Sequence, residues 1–160
     1  MKKSTLLAIL IIGIVTMFTA AAIQAGTAVQ DVIKMENKAY AKHKKGIVEF
    51  SHKKHMEDYA KANPELYPNG CGECHHNDKN EPLKDLKIGD DVQNCIECHK
   101  IASVKPKGKD APKLSKKEAV KEYHAEAIHA NCKGCHKAFN EKSGKKTAPT
   151  SCTKCHPKNK

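Results

Sequence analysis

Eight cysteines and four of the ten histidines in this 160-residue chain fall into one repeated pattern. It reads Cys71-Gly-Glu-Cys74-His75, Cys95-Ile-Glu-Cys98-His99, Cys132-Lys-Gly-Cys135-His136 and Cys152-Thr-Lys-Cys155-His156. Thiols three positions apart lie on one side of a helical turn, where both can add to the vinyl groups of a single flat macrocycle. The histidine that follows sets an imidazole beneath the macrocycle's iron as the proximal ligand. C-x-x-C-H is the attachment signature of c-type haem for that reason. A disulfide framework, structural zinc and a redox dithiol all compete for paired cysteines. None of them requires histidine after every second cysteine. At this histidine content, that coincidence four times over has odds on the order of one in a hundred thousand. The expectation is four covalently bound haem c groups, each with its iron.

The second axial ligand separates carriers of electrons from catalysts. With His75, His99, His136 and His156 used as proximal ligands, His43, His52, His55, His76, His124 and His129 remain. That is enough to close all four irons, and no motif carries Lys in place of its His. A closed six-coordinate iron exchanges electrons but offers no place for a substrate.

Three further features carry a resemblance. They are Phe50-Ser-His52-Lys-Lys-His55, the doubled histidine of Cys74-His75-His76, and His129 just ahead of Cys132. Together with the four motifs they resemble the class III cytochromes c, the tetrahaem cytochrome c3 family, over about residues 46 to 156. The resemblance implies a mostly irregular fold with a few α-helices and a short β-hairpin, in which the haems are the core. It also implies the axial pairs His52 with His75, His76 with His99, His55 with His136, and His129 with His156. The stretch from Met56 to Gly70 is longer than the family's usual link, which implies an extra helix or loop near the first haem. His129 sits closer to its motif than in tetrahaem members generally, a spacing similar to trihaem relatives. His124 and His129, five residues apart, would point about 140° apart on one helix. Only one of them can face a given iron; in line with the resemblance His129 is expected there, with His124 at the surface or bonded to a haem propionate. His43, among Lys42, Lys44 and Lys45, is expected to be a solvated histidine.

Around these residues the chain supplies little else. Lys2 and Lys3, the apolar run Leu6 to Phe18 and the small residues through Ala25 are laid out as a secretory signal peptide, residues 1–25. Residues 26–160 are then one haem-binding domain, exported to the periplasm. That part keeps Phe50, Phe139, Tyr40, Tyr59, Tyr67 and Tyr123 as its aromatics, with no Trp anywhere in the chain. So few large apolar side chains make a poor core unless a cofactor serves as staple. Ile47 to Phe50 reads as a short strand leading into His52, and residues 56–62 as a helical turn ended by Pro64. Pro106 to Pro112 reads as a loop. Ser115 with Glu118 makes a capping box that starts a helix from Lys116 to about Ala130.

Every basic residue is Lys, and the charge is uneven. Residues 26–99 hold 11 Lys against 13 acids, whereas residues 100–160 hold 16 Lys against 5. The last two motifs therefore sit in a lysine-rich field, suited to brief docking of an acidic partner. The resemblance implies a periplasmic hydrogenase or formate dehydrogenase as that partner, and a membrane-bound redox complex as electron acceptor. Nucleic acid is not expected, and neither is an oligomer. The sequence thus points to a low-potential electron carrier rather than an enzyme. The alternative is a small multihaem terminal reductase of metal ions, which would need an open axial position.

Overall fold

In the computed structural model of the chain, residues 29–158 are described, and the expected signal peptide lies outside them. The first elements are strands β1 (Ile33–Lys34) and β2 (Glu49–Phe50), antiparallel with Ile33 opposite Phe50 and Lys34 opposite Glu49. A bond from the Met35 N–H to the Val48 carbonyl (2.9 Å) extends the pairing by one step. The expected strand at 47–50 is thus present at its C-terminal end. Its partner gives no sequence signal, because two residues are too few to show alternation.

Helix begins straight after β2, earlier than the expected turn at 56–62. It runs as α1 (His52–Lys54), a π-helical turn at His55–Tyr59, and α2 (Ala60–Ala62). Asn63 ends it, leaving the helical region at φ −140° and ψ 60° ahead of the proline, and Pro64–Leu66 turns as a 3-10 helix. The long link after Met56 is filled by these turns. A second 3-10 helix covers Gly70–Glu73, and α3 covers Cys95–Cys98.

The capping box forms as expected. The Glu118 N–H donates to Ser115 Oγ (3.2 Å), and the Ser115 N–H donates to the Glu118 carboxylate (2.7 Å). The helix it starts is not the single one expected to end near Ala130. It is α4 (Lys116–Glu122), a break at Tyr123 with φ −96° and ψ 117°, and then α5 (His124–Ser143). The break is made by tertiary pairing: the Ile101 N–H donates to the Glu122 carbonyl (3.0 Å), and the His124 N–H donates to the Ile101 carbonyl (2.9 Å). Tyrosine is an ordinary helix residue, so nothing local announces it. Helix α5 continues through the third motif because a C-x-x-C-H turn is itself helical. It stops at Gly144, whose φ of 65° is the left-handed cap that glycine takes without strain. The last element is α6 (Cys152–Cys155).

The polypeptide encloses very little of itself. Among the described residues only Gly46, Gly72, Ala119, Tyr123 and His124 are buried, and no side chain is wholly enclosed. Ile88, Val92, Ile101 and Val104 are exposed, Ile88 by 69%. The mixed arrangement of short helices around a two-residue hairpin is therefore not held by an apolar side-chain core.

Candidate haem sites

Four opposed pairs of imidazoles are the dominant feature of the structure. His52 and His75 have ring centres 6.4 Å apart, and His55 and His136 are 6.2 Å apart. His76 and His99 are separated by 6.0 Å, and His129 and His156 by 6.3 Å. Two imidazoles bound on opposite sides of one metal ion, through metal–nitrogen bonds of about 2 Å, place their ring centres roughly 6 Å apart. Each pair joins the histidine of one motif to a histidine from outside that motif.

Local structure explains how each pair is presented. The hairpin places Phe50 against both His52 (5.9 Å) and His55 (4.6 Å), so one aromatic fixes two histidines one helical turn apart. His75 and His76 leave the 3-10 turn in opposite directions, one towards His52 and the other towards His99. His129 and His136 both lie on α5.

In five of the eight rings, Nδ1 donates to a backbone carbonyl. His55 bonds Ser51 (2.8 Å), His76 bonds Asn77 (2.7 Å), and His99 bonds Lys121 (3.0 Å). His136 bonds Pro149 (2.7 Å), and His156 bonds Gly46 (2.8 Å). Such a bond fixes the tautomer, aims Nε2 at the metal and raises the ring's strength as a ligand. Burial holds His55, His75 and His129 below the usual imidazole pKa and so favours the neutral form that ligates.

The cysteines form no disulfides with one another. All eight are free. Cys74 keeps surface exposure, yet desolvation and the nearby Cys132 and Cys135 push its thiol up to about 11. Desolvation also raises Cys95, Cys132 and Cys135. Among the described residues no group of three or more His, Cys, Asp or Glu is arranged to hold a metal. Donors come in axial pairs, the arrangement suited to an iron whose four equatorial ligands belong to a macrocycle. The residues fit haem.

The two spare histidines are more enclosed than surface positions would leave them. His124 is buried, 8% exposed, and its Nδ1 is hydrogen-bonded to the Tyr40 hydroxyl (2.8 Å). It is neither at the surface nor free, because the break at Tyr123 sets it at the start of α5, beneath Tyr40. His43 is half-buried and stacks on Tyr40 at 5.2 Å and 21°, so it is not simply solvated. Tyr40 was not singled out from the sequence, and a lone tyrosine in a lysine-rich stretch carries no signal that could have done so.

Four C-x-x-C-H turns and four opposed imidazole pairs on a core-poor fold define a multihaem c-type cytochrome. The chain belongs to the class III cytochrome c family, whose model matches residues 28–156. It is similar to a cytochrome c3 of Maridesulfovibrio salexigens, at 35% identity over 124 residues, covering 76% of this chain and 89% of that one. No solved structure matches. Members of the family are electron carriers with covalently bound haem. The chain is accordingly an electron-transfer protein and not an enzyme.

Proposed function

We infer that the chain is a tetrahaem carrier whose irons are all closed by two histidines, working at low potential in the periplasm. The observation that carries this reading is the set of four ring pairs at 6.0–6.4 Å. Haem 1 would be held by Cys71, Cys74, His75 and His52, and haem 2 by Cys95, Cys98, His99 and His76. Haem 3 would be held by Cys132, Cys135, His136 and His55, and haem 4 by Cys152, Cys155, His156 and His129. The haems, when bound, supply one-electron chemistry. The chain's own residues do the rest. Two imidazoles close each iron to substrates, and the carbonyls of Ser51, Asn77, Lys121, Pro149 and Gly46 fix ring orientation. Outward-facing Ile88, Val92, Ile101 and Val104, beside so small an internal core, support the haems as the core of the fold.

The lysine-rich half containing motifs 3 and 4 would steer an acidic redox partner such as a periplasmic hydrogenase or formate dehydrogenase. Electrons would then pass to a membrane redox complex in anaerobic respiration. Intact mass and a visible spectrum of protein matured in a haem-attaching host test the reading, with four haem additions, low-spin spectra and loss of residues 1–25 expected. Three additions would make the chain a trihaem carrier. A high-spin component would instead favour the terminal-reductase alternative.

A further inference from the structure

We propose that the Tyr40–His124 pair positions His99, by holding the break between α4 and α5 so that freed helix-end carbonyls orient the proximal ligand of haem 2. The inference rests on His99 being that ligand.

The argument starts from helical bookkeeping of donors and acceptors. In an unbroken helix, the Lys121 carbonyl would accept from residue 125 and the Glu122 carbonyl from residue 126. The extended backbone at Tyr123 releases both. The Lys121 carbonyl takes the His99 Nδ1–H (3.0 Å), and the Glu122 carbonyl takes the Ile101 N–H (3.0 Å). In return the Ile101 carbonyl takes the His124 N–H (2.9 Å), and the Lys105 N–H reaches the Glu126 carboxylate (3.1 Å). The segment after the second motif is thus stitched across the break from His99 to Lys105.

What holds the break is the most enclosed spot in the described chain. Ala119, Tyr123 and His124, its buried side chains, all lie there at 5–8% exposure. His124 is the polar member, and the Tyr40 hydroxyl satisfies its Nδ1 at 2.8 Å. Burial favours the neutral imidazole, which can share one proton with the hydroxyl in this bond. Tyr40 is itself braced by the stacked ring of His43. Both histidines left over from the four axial pairs therefore converge on one tyrosine, whose hydroxyl anchors the first residue of α5. Removing that bond leaves a buried polar atom unpaired, which water entry or movement of the break would have to relieve. Either response loosens the Lys121 carbonyl from His99. A weaker Nδ1–H bond makes the imidazole a poorer donor and disfavours the oxidised iron, so the potential of that haem rises.

The test uses haem-loaded Tyr40→Phe, which keeps the ring on His43 and deletes only the hydroxyl, alongside His124→Leu and His124→Asn. Potentials are resolved haem by haem with NMR-monitored redox titration, and the His99 Nδ1–H resonance is followed directly. For His124→Leu the expected shift is about tenfold in the reduction equilibrium of haem 2, or about 59 mV upward for one electron. A smaller rise is expected for Tyr40→Phe, and a near-normal value for His124→Asn, whose amide oxygen can replace Nδ1. The His99 proton should broaden or exchange faster in the first two. If all four potentials move together, or none moves in Tyr40→Phe and His124→Leu, the proposal is overturned while the four-haem reading stands. A native protein lacking haem 2 would overturn both. Should His124→Leu fail to mature, Tyr40→Phe decides alone.

Discussion

The third and fourth motifs carry the same signature in opposite settings. Cys132 to His136 lies inside the long helix α5, with helical turns on both sides. Cys152–Cys155 forms a single short turn, flanked by extended backbone at Ser151 and His156. Each motif still makes its turn, and each histidine still donates Nδ1–H to a carbonyl. His136 finds Pro149, 13 residues away, whereas His156 finds Gly46, 110 residues away. The difference separates two jobs. The motif brings its own attachment geometry wherever it sits, but the aim of its imidazole is set by whatever segment supplies a carbonyl. For the third motif that support is nearby in sequence; for the fourth it depends on the tertiary fold.

Removing the attachment cysteines tests this most severely. Cys132→Ala/Cys135→Ala and Cys152→Ala/Cys155→Ala should each lose one haem by intact mass. Their further consequences should differ, because only the second pair unfastens residues near Gly46 from the C-terminal segment. Limited proteolysis should then cut the lysine cluster at 42–45 faster in the fourth-motif variant. Equal cutting in both would erase the distinction. Gly46→Ala attacks the same contact more gently. A Cβ there would run into the Pro157 carbonyl oxygen, so backbone must shift. Overpacking of this kind costs about 1–3 kcal/mol, readable as a lower midpoint in denaturant. The potential of haem 4 should rise while that of haem 3 stays.

Legibility in the sequence follows the same division. The motifs, Phe50, and the histidine combinations could be read because ligand chemistry fixes residue types and spacing, and the resemblance implied which ring opposes which. The capping box at Ser115 was legible because it is local. The carbonyls of Gly46, Pro149 and Lys121 were not, since every residue has a carbonyl and only the fold selects one. The break at Tyr123 was hidden for the same reason: it is imposed by Ile101, far away in sequence. The burial of His124 was hidden as a consequence, because it depends on that break and on Tyr40.

Helix α4 and its capping box lead into the helix that carries the third motif, so weakening its start probes the locally supported side of the comparison. Ser115→Ala should cost about 1 kcal/mol in chemical denaturation, with the fourth haem's potential unchanged. Hydrogen bonds from Ser115, side chain first and backbone second, hold the Glu118 carboxylate below its usual pKa. A carboxyl whose pKa is depressed by folding adds stability above its unfolded value and loses it as pH falls through the folded one. The Ser115→Ala deficit should accordingly shrink as the pH drops below the carboxylate range. A deficit independent of pH would show that the reciprocal bond contributes nothing.

The smallest effect should be a gain. Gly134 lies between the cysteines of the third motif, in the interior of α5, with nothing within 4 Å of the position a Cβ would take. Its neighbours already hold helical backbone, so alanine there meets no obstacle and restricts the unfolded chain. Gly134→Ala should raise stability by about 0.5–1 kcal/mol, with four haems retained and all potentials unchanged. Set against Gly46→Ala, the same chemical change then has opposite signs at the two motifs, and the sign follows where each motif draws its support. A loss of stability at Gly134 would mean that the third motif also relies on a close neighbour there, and the contrast between the two settings would collapse.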